Sequence, residues 1–447
     1  MPARNTRGDR IGWTVTIVAI VVIVAGWAAF VFMDVSSTSG VPQSMAQDGA
    51  RERNIDRLRA LPYASSVERG LQRETGVIEH DRDRSCPGYS LYCIQFLSRA
   101  DLIDENGRVV RSWEHHPSKT WENVELMPNG DLLVVGVENG YWPDGRPLDG
   151  FADNARYALR MDWDGNVLWK RRIQCHHDIT VAPDRQIMAL GFQRRHLPQV
   201  HPTLPIRDET LLRLDLELNP LDEFSMMDVL MKNASRFPLE TVSPTDRAGP
   251  PWVDLLHANS VEWMHYPALV GRHAMYDPQN VLVSLRHQDR LVVFDLQTGD
   301  LVWSWGEGVV SGPHDAHVLA DGHILLFDNG IERNYSRGLE IDPLTGQIVW
   351  EYEADPPESF YTLSKGSIQR LPNGNTLLAE SDNGRAFEVT SDGEIVWEFY
   401  TPHEIAPDRR AAIVRMKRFP VAYVDAIAAM TPAERRGDTA WFDTVVR

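Results

Sequence analysis

One hairpin motif, written five times and echoed a sixth, constrains the fold of this chain more than any other feature. LIDENGRVVRSW ends at Trp113, RMDWDGNVLWKR carries Trp169, FDLQTGDLVWSW carries Trp303, EIDPLTGQIVWEY carries Trp350 and EVTSDGEIVWEF carries Trp397. A weaker copy, LDLELNPLDEF, ends at Phe224. Each joins two β-branched or aromatic runs through Asn-Gly, Asp-Gly, Thr-Gly or an equivalent pair, and Gly and Asn accept the positive φ that tight hairpins need. A second unit precedes the later five copies: ENVELMPNGDLLVV, HDITVAPDRQIMAL, HANSVEW with NVLVSL after an insertion, HDAHVLADGHILLF and SIQRLPNGNTLLAE. GYSLYCIQF is the expected partner of the first copy.

Two hairpins make a four-stranded sheet, and such sheets repeated along a chain predict a β-propeller, because each blade buries its faces only against its neighbours. Trp303, Trp350 and Trp397 follow one another at intervals of 47 residues. The expectation is an all-β chain with a six-bladed β-propeller over 86–402. Its 447 residues fit one such domain with appendages. Segments 139–155, 192–209, 225–256 and 264–279 exceed the repeat and are expected as loops on the ligand-facing rim. Residues 403–447 read as a partly helical C-terminal extension that packs on the closing seam.

The flank before the propeller has a different texture. Ile11 to Met33 runs 23 residues without a charge, which as a helix reaches about 35 Å and crosses a bilayer core of ~30 Å. Arg4, Arg7 and Arg10 precede it, so the positive-inside rule keeps residues 1–10 cytoplasmic and sends the rest outward. The apolar run is longer than a signal-peptide core and no A-x-A site follows it directly, so the expectation is a retained transmembrane anchor. Residues 34–85, rich in Ser, Gln, Arg, Glu and Asp, read as a stalk, and the propeller is expected in the periplasm or otherwise outside the cytoplasm. Cys86 and Cys93 are close enough for a local disulfide that leaves Cys175 unpaired, although all three also read as small buried apolar residues. A net charge of −18 with no basic stripe excludes nucleic acid as a partner.

The chemistry concentrates in the repeat. His314 lies eight residues before the turn glycine Gly322, His177 lies eight before Arg185 in the matching turn, and His257 shares with them the pattern HxxxV. Innermost strands line a propeller's channel, so one repeat position in three blades delivers three imidazoles to one axial site. His317 is expected to pack and His323 to belong to the turn. Asn259, two residues beyond His257, points the same way on an extended strand. Arg286 offers a planar fork suited to a multi-oxygen anion, and its charge argues against a cation in the same site.

At these residues the sequence resembles the bacterial arylsulfate sulfotransferases, six-bladed propeller enzymes that work without an adenylyl-sulfate donor. The resemblance rests on HHDIT (176–180), DLLHANSVEW (254–263), VSLRHQ (283–288), PHDAHVLADGHILLFDNG (313–330), SRGLEID (336–342) and LPNGNTLLAES (371–381), and covers most of Cys86 to Tyr400. It implies a ping-pong transfer in which His314 attacks the sulfur of an aryl sulfate, becomes transiently sulfated and passes the group to a phenolic acceptor. It further implies sulfuryl-binding roles for His257, Asn259 and Arg286, and for His177 or its neighbour His176. No metal and no cofactor are implied. Pro313 stands where the family usually has Gln, and this departure, the insertion after His257 and the membrane anchor mark a divergent branch. Two other functions fit a propeller: a membrane-tethered scaffold without catalysis, and a metal-dependent enzyme using the His cluster.

Overall fold

The computed structural model of the protein describes residues 66–68, 74–116, 118–138, 155–182, 186–244 and 251–436. The Ile11–Met33 span and most of the expected stalk lie outside them. Among the described residues no helix is long and apolar enough to cross a membrane.

In chain order, β1 (Ser66–Glu68) and β2 (Gly76–His80) lead into blade 1, with β3 (Tyr89–Ile94), β4 (Arg99–Ile103) and β5 (Val109–Glu114). Blade 2 holds β6 (Ser118–Leu126), β7 (Leu132–Glu138), β8 (Arg156–Met161) and β9 (Val167–Arg171). Blade 3 holds β10 (Cys175–Val181), β11 (Ile187–Arg195), β12 (Ile206–Leu214) and β13 (Pro220–Ser225), followed by helix α1 (Met226–Lys232). Blade 4 holds β14 (Ala258–Trp263), β15 (Asn280–Leu285), β16 (Arg290–Asp295) and β17 (Asp300–Trp305), and blade 5 holds β18 (His314–Val318), β19 (Ile324–Asp328), β20 (Arg337–Asp342) and β21 (Gln347–Tyr352). Blade 6 holds β22 (Ser367–Arg370), β23 (Thr376–Glu380), β24 (Arg385–Val389) and β25 (Ile395–Tyr400). Last come β26 (Glu404–Ala406), β27 (Arg409–Ala411), β28 (Ile413–Phe419) and helices α2 (Val421–Ala429) and α3 (Pro432–Arg436).

The six blades are antiparallel, and the alternation of their strands explains the core. Leu132 and Val134 pack toward blade 1 while Leu133 and Val135, one residue out of phase, pack toward blade 3. Every blade does the same, so the buried apolar side chains fall into six clusters, one at each junction between neighbouring blades. The repeated tryptophan has its own reason. The indole N–H of Trp113 donates to the Asp162 carbonyl in the hairpin turn of the next blade, Trp303 to Pro343, Trp350 to Ser391 and Trp397 to Glu105, at 2.9–3.0 Å. In these four blades one side chain thus ties the outer strand to its neighbour.

Two domain boundaries are corrected. GYSLYCIQF is the partner of the first hairpin copy, as β3 beside β4, but the innermost strand of blade 1 is β28 from the expected C-terminal extension, which pairs along β3 with Met416 opposite Tyr92 and Phe419 opposite Tyr89. Likewise β2, expected in the stalk, is a fifth strand of blade 6 beside β25. Segment 192–209 is not simply a loop either, since β11 runs on to Arg195 and β12 begins at Ile206.

The expected Cys86–Cys93 disulfide is also corrected: all three cysteines are free and buried. Cys86 packs in the cluster between blades 6 and 1, and Cys93 in the cluster between blades 1 and 2, so they sit on opposite faces of blade 1. The cysteines therefore carry no argument about compartment.

Inner strands are locked to one another around the channel. Asp178 of β10 accepts from the Val261 N–H of β14 at 2.9 Å, and Ser260 accepts from Ala316 of β18 at 3.2 Å. Asp315 accepts from Ile368 of β22 at 2.8 Å, and Ser367 accepts from Met416 of β28 at 3.1 Å. Arg415 of β28 reaches across to both Asp178 and Asp315 at 2.9 Å. This belt of buried carboxylates and one guanidinium divides the channel into two ends.

Candidate active site

Each histidine-bearing strand starts irregularly. The pairing register shifts between Cys175 and Ile179, between Ala258 and Ser260, and between His314 and His317. His177, His257 and Asp315 adopt positive φ of 56°, 49° and 51°. Such bulges re-aim side chains, and here they bring blades 3, 4 and 5 together at one end of the channel: the His177 and His257 rings meet edge-on at 5.1 Å, and His257 and Arg286 both act electrostatically on His314.

His314 is held by one of its nitrogens. Its Nδ1 lies 2.7 Å from Asn329 Oδ1 and 2.9 Å from the Gly312 carbonyl. The Asn329 amide is oriented without ambiguity, because its Nδ2 donates to the carbonyls of Thr362 and Lys365, each at 2.9 Å. Two acceptors on Nδ1 make it the N–H, so Nε2 carries the lone pair. That Nε2 is buried and, among the described residues, has no hydrogen-bond partner. Burial, with the Arg286 charge next, pushes the His314 pKa down to about 3, so the ring is neutral at neutral pH.

His257 sits on a buried carboxylate, its Nδ1 2.5 Å from Asp254 Oδ2. Burial alone would raise Asp254, but His257 and Arg207 outweigh it and hold the carboxyl below the usual range. His257 itself is lowered by burial, against Asp254. His287 stacks on His257 at 4.5 Å and bonds the Asp254 carbonyl through Nδ1. Asp254, His257 and His287 place one ligand-type atom each within 4.8 Å of one another. The Asp254 carboxylate is already engaged with His257, and Arg207 and Arg286 press positive charge on the same group, so the set is a hydrogen-bonded cluster better matched to an anion than to a cation.

The sequence-predicted Arg286 is buried beside His314 and His257, with Nη2 at 3.4 Å from the Leu363 carbonyl. Asn259 is buried too, and its Nδ2 donates at 2.8 Å to the carbonyl of Pro313, the residue that departs from the family pattern; Ser284 bonds the same carbonyl. The question between His176 and His177 has a geometric answer. His176 is fully buried, with Nε2 2.6 Å from Glu209 Oε2 and Nδ1 2.6 Å from His177 Nδ1. His177 is the one with an exposed edge and lies against His257.

Several contributors escaped sequence reasoning. Asn329 reads as part of a turn before Gly330, and Lys365 gives no signal, although it is buried within reach of the Arg286 charge and paired with Asp382 at 2.8 Å. Asp254, three residues before His257 in DLLH, could have been found from that spacing. Glu209 could have been found from the run Arg207-Asp208-Glu209, three charges buried inside one strand. His317 and His323 lie elsewhere. His317 is half-buried at the opposite end of the channel, bridging Glu262 and Asp315, and His323 bonds Glu340.

An axial set of neutral imidazoles and guanidinium in a propeller defines an anion-directed enzyme site more readily than a scaffold. The family model Arylsulfotransferase (ASST) matches residues 158–402, more than half of the chain. The chain belongs to the arylsulfotransferase family, and its function is arylsulfotransferase-like. Among solved structures it is similar to a protein of unknown function from Bacteroides caccae, at 14% identity and a TM-score of 0.48, covering 75% of this chain and 99% of that one. It is also similar to a catalytically inactive virginiamycin B lyase from Staphylococcus aureus with quinupristin, at 12% identity and a TM-score of 0.38, covering 74% and 89%. A search of curated proteins returns no match.

Proposed function

We propose that the protein moves a sulfuryl group from an aryl sulfate to a phenolic acceptor through a sulfated His314, with no adenylyl-sulfate donor, metal or cofactor. The observation that carries this reading is the state of His314: neutral, with Nδ1–H fixed by Asn329 and Gly312 and the Nε2 lone pair buried without a partner among the described residues. In the first half-reaction Nε2 forms a bond to sulfur, the sulfur–oxygen ester bond breaks, and the phenol oxygen departs with the electron pair and takes up a proton. In the second, the acceptor oxygen attacks the same sulfur, the nitrogen–sulfur bond breaks, and the acceptor's proton is lost. Splitting the transfer removes any need to hold donor and acceptor together.

Arg286 and Asn259 are assigned to the sulfuryl oxygens, where charge spreads in the transition state. His257 joins them: the arriving anion favours the Asp254⁻–His257⁺ pair, whose Nε2–H then donates to a sulfuryl oxygen. We further propose that the domain works outside the cytoplasm on the Ile11–Met33 anchor, on the strength of its uncharged length and the preceding arginines. Mass spectrometry after exposure to 4-nitrophenyl sulfate tests the chemistry: a sulfo adduct on His314 is expected, and an adduct elsewhere or none sinks the reading.

A further inference from the structure

The transfer just described must deliver a proton to the departing phenol oxygen and later remove one from the acceptor. We infer that Glu209, His176 and His177 form a buried proton relay that does both, with His177 Nε2 as its end at the ester oxygen. The inference rests on the sulfohistidine reading and adds to it the route of the proton.

The geometry leaves few alternatives. His176 Nδ1 and His177 Nδ1 are 2.6 Å apart, a contact that requires one shared hydrogen, since two lone pairs or two N–H groups would repel. His176 Nε2 and Glu209 Oε2 are also 2.6 Å apart and likewise share one hydrogen. The three groups are therefore coupled. When Glu209 is the neutral acid it donates to His176 Nε2, His176 Nδ1–H donates to His177 Nδ1, and His177 is left with its hydrogen on Nε2. When His177 gives up that hydrogen, each shared hydrogen shifts one place. His177 becomes the Nδ1–H tautomer, His176 the Nε2–H tautomer, and Glu209 the carboxylate. One proton leaves and one negative charge appears on Glu209, with no imidazolium or imidazolate at any stage.

The surroundings suit both ends of the shift. Burial raises Glu209 well above the carboxylate range in spite of Arg207, and burial lowers both His176 and His177, so the resting set is neutral. Once charged, Glu209 faces the Arg207 guanidinium at 3.0 Å, and His176 Nε2–H also reaches the Gly191 carbonyl at 3.3 Å. Asp254 contrasts with it: that carboxyl is held ionised beside His257. Two carboxyls driven in opposite directions assign the histidines different work. Position agrees, since attacking and leaving atoms lie roughly in line through sulfur. His257 acts directly on His314, and His177 stands one ring further on. The same relay run backwards accepts the proton of the incoming phenol, as a ping-pong cycle requires.

Glu209→Gln tests this, because the amide imitates the neutral acid toward His176 but has no proton to release. His314 sulfation is followed by mass spectrometry in single turnovers with phenyl sulfate, whose phenol leaves with a pKa of about 10, and with 4-nitrophenyl sulfate, a far more acidic leaving group. The relay predicts that the variant's loss with phenyl sulfate exceeds its loss with 4-nitrophenyl sulfate by about 10²-fold. Equal losses overturn it. Should the variant not fold, the wild-type rate in mixtures of H₂O and D₂O decides: a curved dependence with phenyl sulfate is expected from several hydrogens in flight, and a linear one overturns the relay. Absence of any adduct in the wild type overturns the sulfohistidine reading itself, an outcome distinct from both.

Discussion

His314 and His317 lie three residues apart on one strand, yet the fold drives them in opposite directions. Burial and Arg286 push His314 down to about 3. Burial would lower His317 as well, but Asp315 and Glu262 on its two nitrogens outweigh it and raise it to about 10. The belt formed by Asp178, Asp315 and Arg415 separates the two. On one side are neutral rings with a lone pair to offer. On the other is a cavity of about 430 Å³ whose walls hold Glu262, His317 and Lys417, each in an ion pair. A histidine's chemistry is thus decided by what each ring nitrogen touches, and a shift of three positions along a strand suffices to exchange a neutral ring with a buried lone pair for a cation.

Breaking the first end has the largest expected effect. His314→Ala should cost about 10⁴-fold or more in transfer from 4-nitrophenyl sulfate to phenol, in keeping with removal of a nucleophile, while His317→Ala costs far less. Arg286→Lys keeps the charge but loses the planar fork, and a fall in kcat/KM of about 10²–10³ is expected. Asn329→Ala removes one of two acceptors holding His314 Nδ1, worth about tenfold in the rate of His314 sulfation by the net value of one hydrogen bond.

The smallest effect belongs to the other end. A histidine raised from an unfolded value of about 6.5 to about 10 contributes stability that is complete below the lower value and is lost as pH rises through the higher one. Urea midpoints of wild type and His317→Gln should therefore converge between pH 7 and 10. A gap that persists above pH 10 would mean that His317 acts through packing and not through charge.

Much of this was legible in advance because the repeat is legible. Trp303, Trp350 and Trp397 recur at equal intervals since each clasps the next blade's turn, and a side chain with that duty cannot drift in register. His177, His257 and His314 were visible for the same reason: they occupy one repeat position. What escaped lies outside the repeat. Strand β28 pairs with β3 across more than 300 residues of chain, and nothing local in IVRMKRF reports its partner. Asn329, Asp254 and Glu209 each serve one histidine by a contact that only the folded chain defines. The cysteines misled because closeness in sequence says nothing of which face of a sheet each side chain takes.

The late strand has a further consequence, for biosynthesis. Arg415 travels on β28, the last of the described strands to emerge during synthesis, and it is the group that binds Asp178 to Asp315 beneath the three histidines. Blades 2 to 6 can pair within themselves as the chain lengthens, but the ring stays open, with Asp178 and Asp315 lacking the guanidinium they share, until Arg415 arrives. Assembly of the site is thereby tied to the arrival of β28. A product interrupted after Asn329 and before Arg415 carries every histidine of the site and still lacks the closure that aligns them, so such chains are expected to be inert instead of partly active.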